Sequence, residues 1–256
     1  MSYIIADHLV KTYGDGEATV TAVNGMSFEI GAGEFVGIMG ESGSGKSTLL
    51  GLMGAMNAPT AGRLVVDDID VYALNPDQRS DFRREFLGFV FQRFHLVPYL
   101  TVIENVMLPL AVVKAGRKQK QAMAAGALAQ VGLADKADRL PNQISGGESE
   151  RVAVARAIVN EPPVLLADEP TGNLDTKTSR EIMKLLQRLN EDGMTIAMVT
   201  HSQDCAAYAE RILRVRDGKL LEIRLGGEIE REKRNPTADK LRSVCRARQA
   251  AFSLDR

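Results

Sequence analysis

The sequence predicts an α/β protein built around a mostly parallel sheet. Three observations lead to this fold class: short β-branched runs alternate with longer segments of helical spacing, one apolar run ends in a glycine-rich turn, and another ends in two acidic residues. Alternating strands and helices favour parallel pairing, because each helix carries the chain back across the sheet. The length of 256 residues suits one large α/β domain or a core domain with a smaller lobe, and 45% apolar and 25% charged residues are close to average for a globular protein.

The first part of the chain combines strand patterns with two helical segments. The two N-terminal runs alternate partially and are bounded by glycines, which predicts two sheet strands. In chain order we predict strands near 3–10, 19–30, 34–39, 63–66 and 87–91, and helices near 46–53 and 77–85.

From about residue 95 to 160 helical spacing replaces the β-branched runs, which predicts an inserted α-helical subdomain. We expect helices there near 102–114, 118–131 and 147–159. Strand patterns then return near 164–167, 195–199, 212–215 and 220–223, with a helix near 176–190. We assign residues 1–230 to one domain. The tail at 231–256 is rich in basic residues and is either a helical docking segment or a solvated terminus.

Composition excludes several classes of protein. The formal net charge of -1 gives no global positive field for holding nucleic acid, so we expect no nucleic-acid partner. Two cysteines, Cys205 and Cys245, lie far apart, which excludes a disulfide framework and fits a reducing cytosol. No uncharged run is long enough for a membrane helix, and residues 1–11 lack the pattern of a secretory signal.

A phosphate-binding loop is the most specific motif. It fits the pattern G-x-x-x-x-G-K-[ST] between a predicted strand and a predicted helix, and it consists of Gly40, Glu41, Ser42, Gly43, Ser44, Gly45, Lys46 and Ser47, with Thr48 next in the helix. The glycines allow successive N–H groups to face an anion, and the helix adds its positive end. Lys46 is expected to reach the β- and γ-phosphates of a nucleotide, and the Ser47 hydroxyl to ligate Mg²⁺.

A pair of carboxylates follows the apolar strand near 164–167. Asp168 and Glu169 should therefore lie at the carboxyl edge of the sheet, where ligands of such folds bind. We expect Asp168 to hold Mg²⁺ and Glu169 to polarise the water that attacks the γ-phosphate. Acidic residues after a strand are common at ordinary loop starts, so this interpretation depends on the phosphate loop.

The segment Ile144, Ser145, Gly146, Gly147, Glu148 resembles the L-S-G-G-Q signature of ABC ATPases. Other landmarks follow in the same order as in that family: Tyr13 resembles the adenine-stacking aromatic, Gln92 the Q-loop glutamine, Thr171–Asp175 the D-loop and His201 the switch histidine. The sequence departs from the usual signature at Ile144 and Glu148, and Glu150 stands where a second Gln is frequent. The likeness covers roughly residues 3–224, and it implies the ABC ATPase fold: a phosphate-loop NTPase core with a mostly parallel sheet, an antiparallel N-terminal β-subdomain and an inserted α-helical subdomain.

Three strings resemble one branch of the family, which serves lipoprotein release, macrolide export of the MacB type, antimicrobial-peptide export and bacterial cell division. They are F-V-F-Q at 89–92, E-N-V at 104–106 followed by L-P-L at 108–110, and D-E-P-T-G-N-L-D at 168–175. Members of this branch resemble one another across different cargoes, so the resemblance implies the mechanism better than the substrate.

The resemblance implies an ATPase that uses ATP and Mg²⁺ and works as a homodimer. Two ATP molecules would lie between the phosphate loop of one copy and Ser145, Gly146, Gly147 and Glu148 of the other, with Asp175 at the dimer seam. Lys46, Glu169 and His201 would be catalytic, and Ser47, Gln92 and Asp168 would serve the metal. The dimer would sit at the cytoplasmic face of the inner membrane and drive a separate permease.

The resemblance leaves the cargo, its direction and the permease open. Phe94, Leu96, Val97 and Tyr99 are either permease contacts or core residues. The leading hypothesis is an energising subunit for lipoprotein extraction or export of peptide or drug-like cargo. A force-transmitting ATPase that regulates cell-wall enzymes without transport is the alternative. An ABC protein of translation or DNA repair is a third, disfavoured because the chain has one cassette without a long insertion.

Overall fold

A computed structural model describes residues 2–225. The predicted basic tail at 231–256 lies outside the described residues, and the domain boundary at 230 stays a prediction. The strands are β1 (Ser2–Tyr13), β2 (Val20–Gly31), β3 (Phe35–Met39), β4 (Ala61–Val66), β5 (Ile69–Asp70), β6 (Leu87–Val90), β7 (Val164–Asp168), β8 (Thr195–Thr200), β9 (Arg211–Arg216) and β10 (Lys219–Leu225). The α-helices are α1 (Lys46–Met53), α2 (Pro76–Phe86), α3 (Val102–Met107), α4 (Arg117–Gln130), α5 (Gly146–Ile158), α6 (Thr176–Glu191) and α7 (Gln203–Ala206).

The strands form two sheets. A six-stranded sheet has the order β10-β9-β3-β8-β7-β6, and its strands run parallel except at the β9–β10 hairpin. A four-stranded antiparallel sheet has the order β2-β1-β4-β5. The predicted α/β fold, with a mostly parallel sheet and an antiparallel N-terminal β-subdomain, is confirmed.

The central strands of the parallel sheet are buried on both faces. Every residue of β3 and β8 is buried, and so are the first four residues of β7. Successive side chains point to opposite faces, so in β7 Leu166 joins the core shared with the antiparallel sheet, whereas Leu165 joins the core shared with α3–α6. Helices and the second sheet thus cover the strands and leave their carboxyl ends as the open edge.

The predicted helix at 102–114 is wrong in its length. The α-helix ends at Met107, and a 3-10 helix continues over Leu108–Val112. Pro109 has no N–H to donate and its ring crowds the preceding turn, which stops the α-helical pattern. The sequence analysis also missed β5 and α7, which are too short to show a period. Among residues 2–225, no helix is both long and apolar enough to cross a bilayer.

Asn105 organises the chain that enters α3. Its side chain is fully buried at 0% exposure. Oδ1 accepts the Val97 N–H at 2.7 Å, and Nδ2 lies 3.0–3.1 Å from the carbonyls of Val97, Leu100 and Thr101. The segment from 92 to 101 is neither helix nor strand, so its backbone groups lack the regular hydrogen bonds of those elements. The Asn105 amide supplies hydrogen bonds to some of these groups.

We expect Asn105→Ala to lower the free energy of unfolding by about 2–4 kcal/mol, because it removes a fully buried side chain and takes the hydrogen-bond partner from the Val97 N–H and the Leu100 carbonyl. Chemical denaturation monitored by circular dichroism measures this change. Asn142→Ala, at an exposed position, serves as the matched control and should have little effect. Equal stability of the two variants would contradict the role assigned to Asn105.

Candidate functional site

The loops that follow four neighbouring parallel strands meet at one edge of the sheet. They bound a cleft of about 630 Å³. This arrangement follows from topology, because parallel strands end at the same edge of a sheet. The cleft is lined by Ala22, Gly40, Glu41, Ser42, Gly43, Gly45, Lys46, Ser47, Thr48, Gln92, Asp168, Glu169, Val199 and His201. The sequence analysis had named all of these except Ala22 and Val199.

The glycine-rich loop after β3 is tightly packed against the antiparallel sheet. Gly45 has a φ of 100°, in the left-handed region, and a Cβ added there would lie 2.0 Å from the carbonyl oxygen of Ala22. Only glycine fits this position. The close approach explains why Ala22, in β2, borders the cleft. Helix α1 begins at the next residue, Lys46, so its free N–H groups and positive dipole end face the cleft.

Lys46 is largely buried and spans its own loop. Its side chain donates to the carbonyl oxygens of Gly40 and Glu41 at 2.8 Å and 2.7 Å. The residue is only 8% exposed, yet it lines the cleft. Its ammonium is therefore satisfied by two neutral carbonyls. The oxygens of an anionic ligand are stronger hydrogen-bond acceptors for the ammonium than these carbonyls.

Ser47 and Asp168 bring two hard oxygen donors together. The Ser47 hydroxyl donates to Asp168 Oδ1 at 3.3 Å. Burial raises the pKa of Asp168, the Ser47 hydrogen bond opposes that shift, and the neighbouring Glu169 carboxylate adds to it. A cation bound beside Asp168 would stabilise its charged carboxylate and so lower its pKa. These oxygens, with the exposed amide of Gln92 in the same cleft, fit Mg²⁺, which takes few protein ligands alongside phosphates and water.

Glu169 and His201 form a hydrogen-bonded pair across two strands. His201 Nδ1 lies 2.9 Å from Glu169 Oε1, and the His201 backbone N–H lies 3.4 Å from Glu169 Oε2. The Glu169 side chain is 13% exposed, and that of His201 is 71% exposed. Glu169 adopts a φ of 51°, which is uncommon for a residue with a side chain. This turn directs the carboxylate to the cleft, where His201 orients it.

The signature segment lies outside this cleft. Ser145 caps the N-terminus of α5 through a capping box: its Oγ accepts the Glu148 N–H at 3.2 Å, and Glu148 Oε2 accepts the Ser145 N–H at 2.7 Å. These bonds hold the pKa of Glu148 below its usual value. Glu148 thus completes the cap, which the glutamine of the usual signature can also do, and its negative charge suits the positive end of the helix. Ser145 and Gly146 are exposed to solvent at the helix start.

Three predicted site residues have surroundings in the structure that do not test their predicted functions. Asp175 caps α6, accepting the N–H groups of Lys177 and Thr178. The Ser44 hydroxyl is buried without a hydrogen-bond partner in the described part of the chain. Tyr13 ends β1 and does not border the cleft; Lys11 Nζ lies 5.1 Å from the centre of its exposed ring. The functional assignments of all three stay predictions.

The structure also shows a contact that the sequence analysis missed. Asn173 Nδ2 donates to the backbone carbonyl of Gln92 at 2.7 Å. This bond joins the loop after β7 to the loop after β6, and it lies beside the cleft. The only signal in the sequence is a side-chain amide in a loop after an apolar strand, which is too common to select Asn173.

Comparison with known proteins gives a consistent result. A family model described as "ABC transporter" matches residues 23–172. An uncharacterised ABC transporter ATP-binding protein of Methanocaldococcus jannaschii, MJ1508, is 44% identical over 220 residues, covering 86% of this chain and 98% of the relative. The macrolide export ATP-binding/permease protein MacB of Syntrophobacter fumaroxidans is 47% identical over 223 residues, covering 86% of this chain and 31% of the relative. The chain thus spans about a third of this MacB relative.

Two solved structures are similar throughout. One is a dimeric post-hydrolysis state of the ATP-binding cassette MJ0796 bound to ADP and Pi, with a TM-score of 0.80 and 41% identity; the match covers 88% of this chain and 100% of that one. The other is cbiO1 from Clostridium perfringens, part of the ABC transporter complex cbiONQ, with a TM-score of 0.80 and 28% identity. That match covers 99% of this chain and 98% of the other.

Glu150 is an unusual buried acid just after the signature segment. It is 1% exposed, and its Oε1 has no hydrogen-bond partner among residues 2–225. Burial raises its pKa to about 8, although the positive charge of Arg156 opposes the shift. A protonated carboxyl has nearly the shape of a glutamine amide. The acid can therefore stand in a position suited to a neutral side chain, as long as it keeps its proton.

We expect Glu150→Gln to flatten the pH dependence of stability. The pKa of Glu150 rises on folding from 4.5 to about 8, so its contribution to stability is complete below the lower value and is lost as pH rises towards the higher one. The glutamine variant should gain about 2–4 kcal/mol in free energy of unfolding at a pH of about 8. Chemical denaturation across that pH range measures the free energy of unfolding, with Glu191→Gln, at an exposed position, as the control. If both variants showed the same pH dependence as the wild type, the assignment would be refuted.

Proposed function

The chain belongs to the ABC transporter family, and from this premise we propose that it is the subunit that dimerises around two ATP molecules and drives a separate membrane permease. It is an ATPase that uses ATP and Mg²⁺. The observation that carries the proposal is the single cleft, in which the phosphate loop, two carboxylates, a glutamine and a histidine converge. Each has the chemistry that phosphoryl transfer to water requires.

ATP binding uses the phosphate loop and Lys46. The N–H groups at the start of α1 surround the phosphates, and Lys46 exchanges its bonds to the carbonyls of Gly40 and Glu41 for the β- and γ-phosphate oxygens. Ser47, Asp168 and Gln92 would hold Mg²⁺ beside those phosphates. When bound, Mg²⁺ neutralises charge on the β- and γ-phosphate oxygens.

Hydrolysis uses Glu169 as general base and His201 as its positioning partner. Glu169 accepts a proton from water as the water oxygen bonds to the γ-phosphorus, and the bond from that phosphorus to the β–γ bridging oxygen breaks. The products are ADP and inorganic phosphate. Because His201 Nδ1 holds Glu169, its Nε2 is left to contact the γ-phosphate.

The second copy supplies the signature segment. Ser145, Gly146, Gly147 and Glu148 lie outside the cleft of their own chain, and the N-terminus of α5 offers donors suited to a γ-phosphate. The MJ0796 cassette, a 41% identical structure, is a dimer bound to ADP and Pi, which supports dimerisation of this chain. Release of phosphate then removes contacts that favour the closed dimer, and the dimer opens.

A second groove, of about 620 Å³, provides a docking surface for the permease. Its floor is apolar and includes Phe89, Phe91 and Leu108, and three arginines border it: Arg83, Arg84 and Arg156. This composition fits a helical segment with an apolar anchor and an acidic side chain. The earlier candidates Phe94, Leu96, Val97 and Tyr99 do not line the groove, and Leu96 packs against the core.

The proposed role is export of peptide or drug-like cargo or extraction of lipoproteins. Relatives named for macrolide export, the MacB proteins, favour drug-like cargo among these. Reconstitution with the membrane partner in vesicles tests this role. ATP-dependent movement of cargo would support it. Stimulated ATP hydrolysis with no cargo moved, and activation of a cell-wall enzyme instead, would favour force transmission.

We expect Lys46→Ala to weaken ATP binding by about tenfold or more, because a charge-assisted contact to the phosphates is lost. Equilibrium titration with a fluorescent ATP analogue measures the affinity. Lys184→Ala, at an exposed position on α6, should bind as the wild type does. Unchanged affinity in the Lys46 variant would contradict the phosphate-loop assignment.

We expect Glu169→Gln to retain ATP binding but to hydrolyse ATP about 100-fold more slowly or worse, because the amide cannot accept the proton. The variant should accumulate ATP-bound dimers, which size-exclusion chromatography detects, whereas Glu191→Gln should behave as the wild type. Undiminished turnover would remove Glu169 from the role of base.

A further inference from the structure

The loop that carries Gln92 is not fixed by the regular hydrogen bonds of a helix or a strand. Residues 92–101 form neither helix nor strand, between the end of β6 and the start of α3. His95 has a φ of 47°, a left-handed conformation that a residue with a Cβ adopts at a cost. Such a conformation persists only where surrounding groups enforce it. Contacts from neighbouring elements therefore contribute to the position of Gln92.

Arg156 makes two such contacts. Its Nη1 donates to the carbonyl of His95 and its Nη2 to the carbonyl of Phe94, both at 2.7 Å. The two carbonyls are consecutive, and one of them belongs to the residue with the strained backbone. A planar guanidinium can bind both at once, which a lysine ammonium does less well.

The helix that carries Arg156 is a firm support. Val152, Ala153, Val154 and Ala155 are fully buried, so α5 is fixed in the core. The signature residue Ser145 caps the N-terminus of the same helix. Asn173 holds the same loop from the other side, through the Gln92 carbonyl. The two side chains secure the backbone on both sides of Arg93.

We propose that Arg156 is a positioning residue for hydrolysis: by clamping the carbonyls of Phe94 and His95, it holds Gln92 at the Mg²⁺ and γ-phosphate and ties that loop to the signature helix. The inference rests on the proposed function, because Gln92 matters only if the cleft hydrolyses ATP. Arg156 itself lies outside the residues that line the cleft and acts through the loop.

A double-mutant cycle tests the clamp. ATP hydrolysis by the full chain is measured against Mg²⁺ concentration for the wild type, Arg156→Gln, Gln92→Ala and the double variant. Arg156→Gln should lower kcat by about 10- to 100-fold, because misplacing a group near the reacting atoms is costly. It should also raise the half-saturating Mg²⁺ concentration. In the Gln92→Ala background it should cause little further loss, since the group it positions is gone.

Arg151→Gln is the matched control on α5. Arg151 donates to the Val131 carbonyl and pairs with Glu181, so its replacement should leave the Mg²⁺ dependence unchanged. Asn173→Ala loosens the same loop from the other side and should raise the Mg²⁺ requirement as Arg156→Gln does. It keeps the test available if the Arg156 variant does not fold.

Amide hydrogen exchange separates failure of the clamp from failure of the proposed function. Exchange of backbone amides in residues 92–97 should accelerate in Arg156→Gln but not in Arg151→Gln, whether or not ATP is hydrolysed. Unchanged exchange, or a loss of activity equally large with and without Gln92, would overturn the proposal. A wild-type chain that hydrolyses no ATP would contradict the proposed function and remove the reaction that Arg156 supports.

Discussion

Parallel pairing of β3, β8, β7 and β6 is the constraint on which the site depends. Because these strands run in one direction, the loops after them emerge at one edge and bring Lys46, Gln92, Glu169 and His201 to a common cleft. The apolar strands are covered on both faces, which leaves that edge open to a ligand. Stability and chemistry are thus divided between the buried bodies of the strands and their polar ends.

Helix α5 connects this cleft to the rest of the chain. Its N-terminus is capped by the exposed Ser145, its middle turns lie in the core, and it contacts the Gln92 loop through Arg156. The same arginine borders the groove assigned to the permease. A movement of the residues that line the groove would therefore shift both the Gln92 loop and the signature segment. Such a path suits a protein in which nucleotide state and membrane partner must influence each other.

Sequence patterns predicted the fold class and identified most of the cleft residues, because the phosphate loop and the apolar strand before Asp168 have local signatures. Contacts between distant segments were not predictable. Arg156 is separated by 61 and 62 residues from the carbonyls it binds, and Asn173 by 81 from its own. A side chain that binds backbone carbonyls also selects no partner residue type, so neither spacing nor composition marks it. Likewise, only the fold reveals that Glu150 is buried.

A crystal structure of the chain grown with ATP and Mg²⁺, using the hydrolysis-deficient Glu169→Gln form, tests the central claim most directly. The account predicts two copies arranged head to tail, each γ-phosphate contacted by Lys46 of one copy and by Ser145 of the partner subunit. A structure in which ATP fills the cleft of a single copy, while residues 144–148 of every copy face solvent, would contradict it.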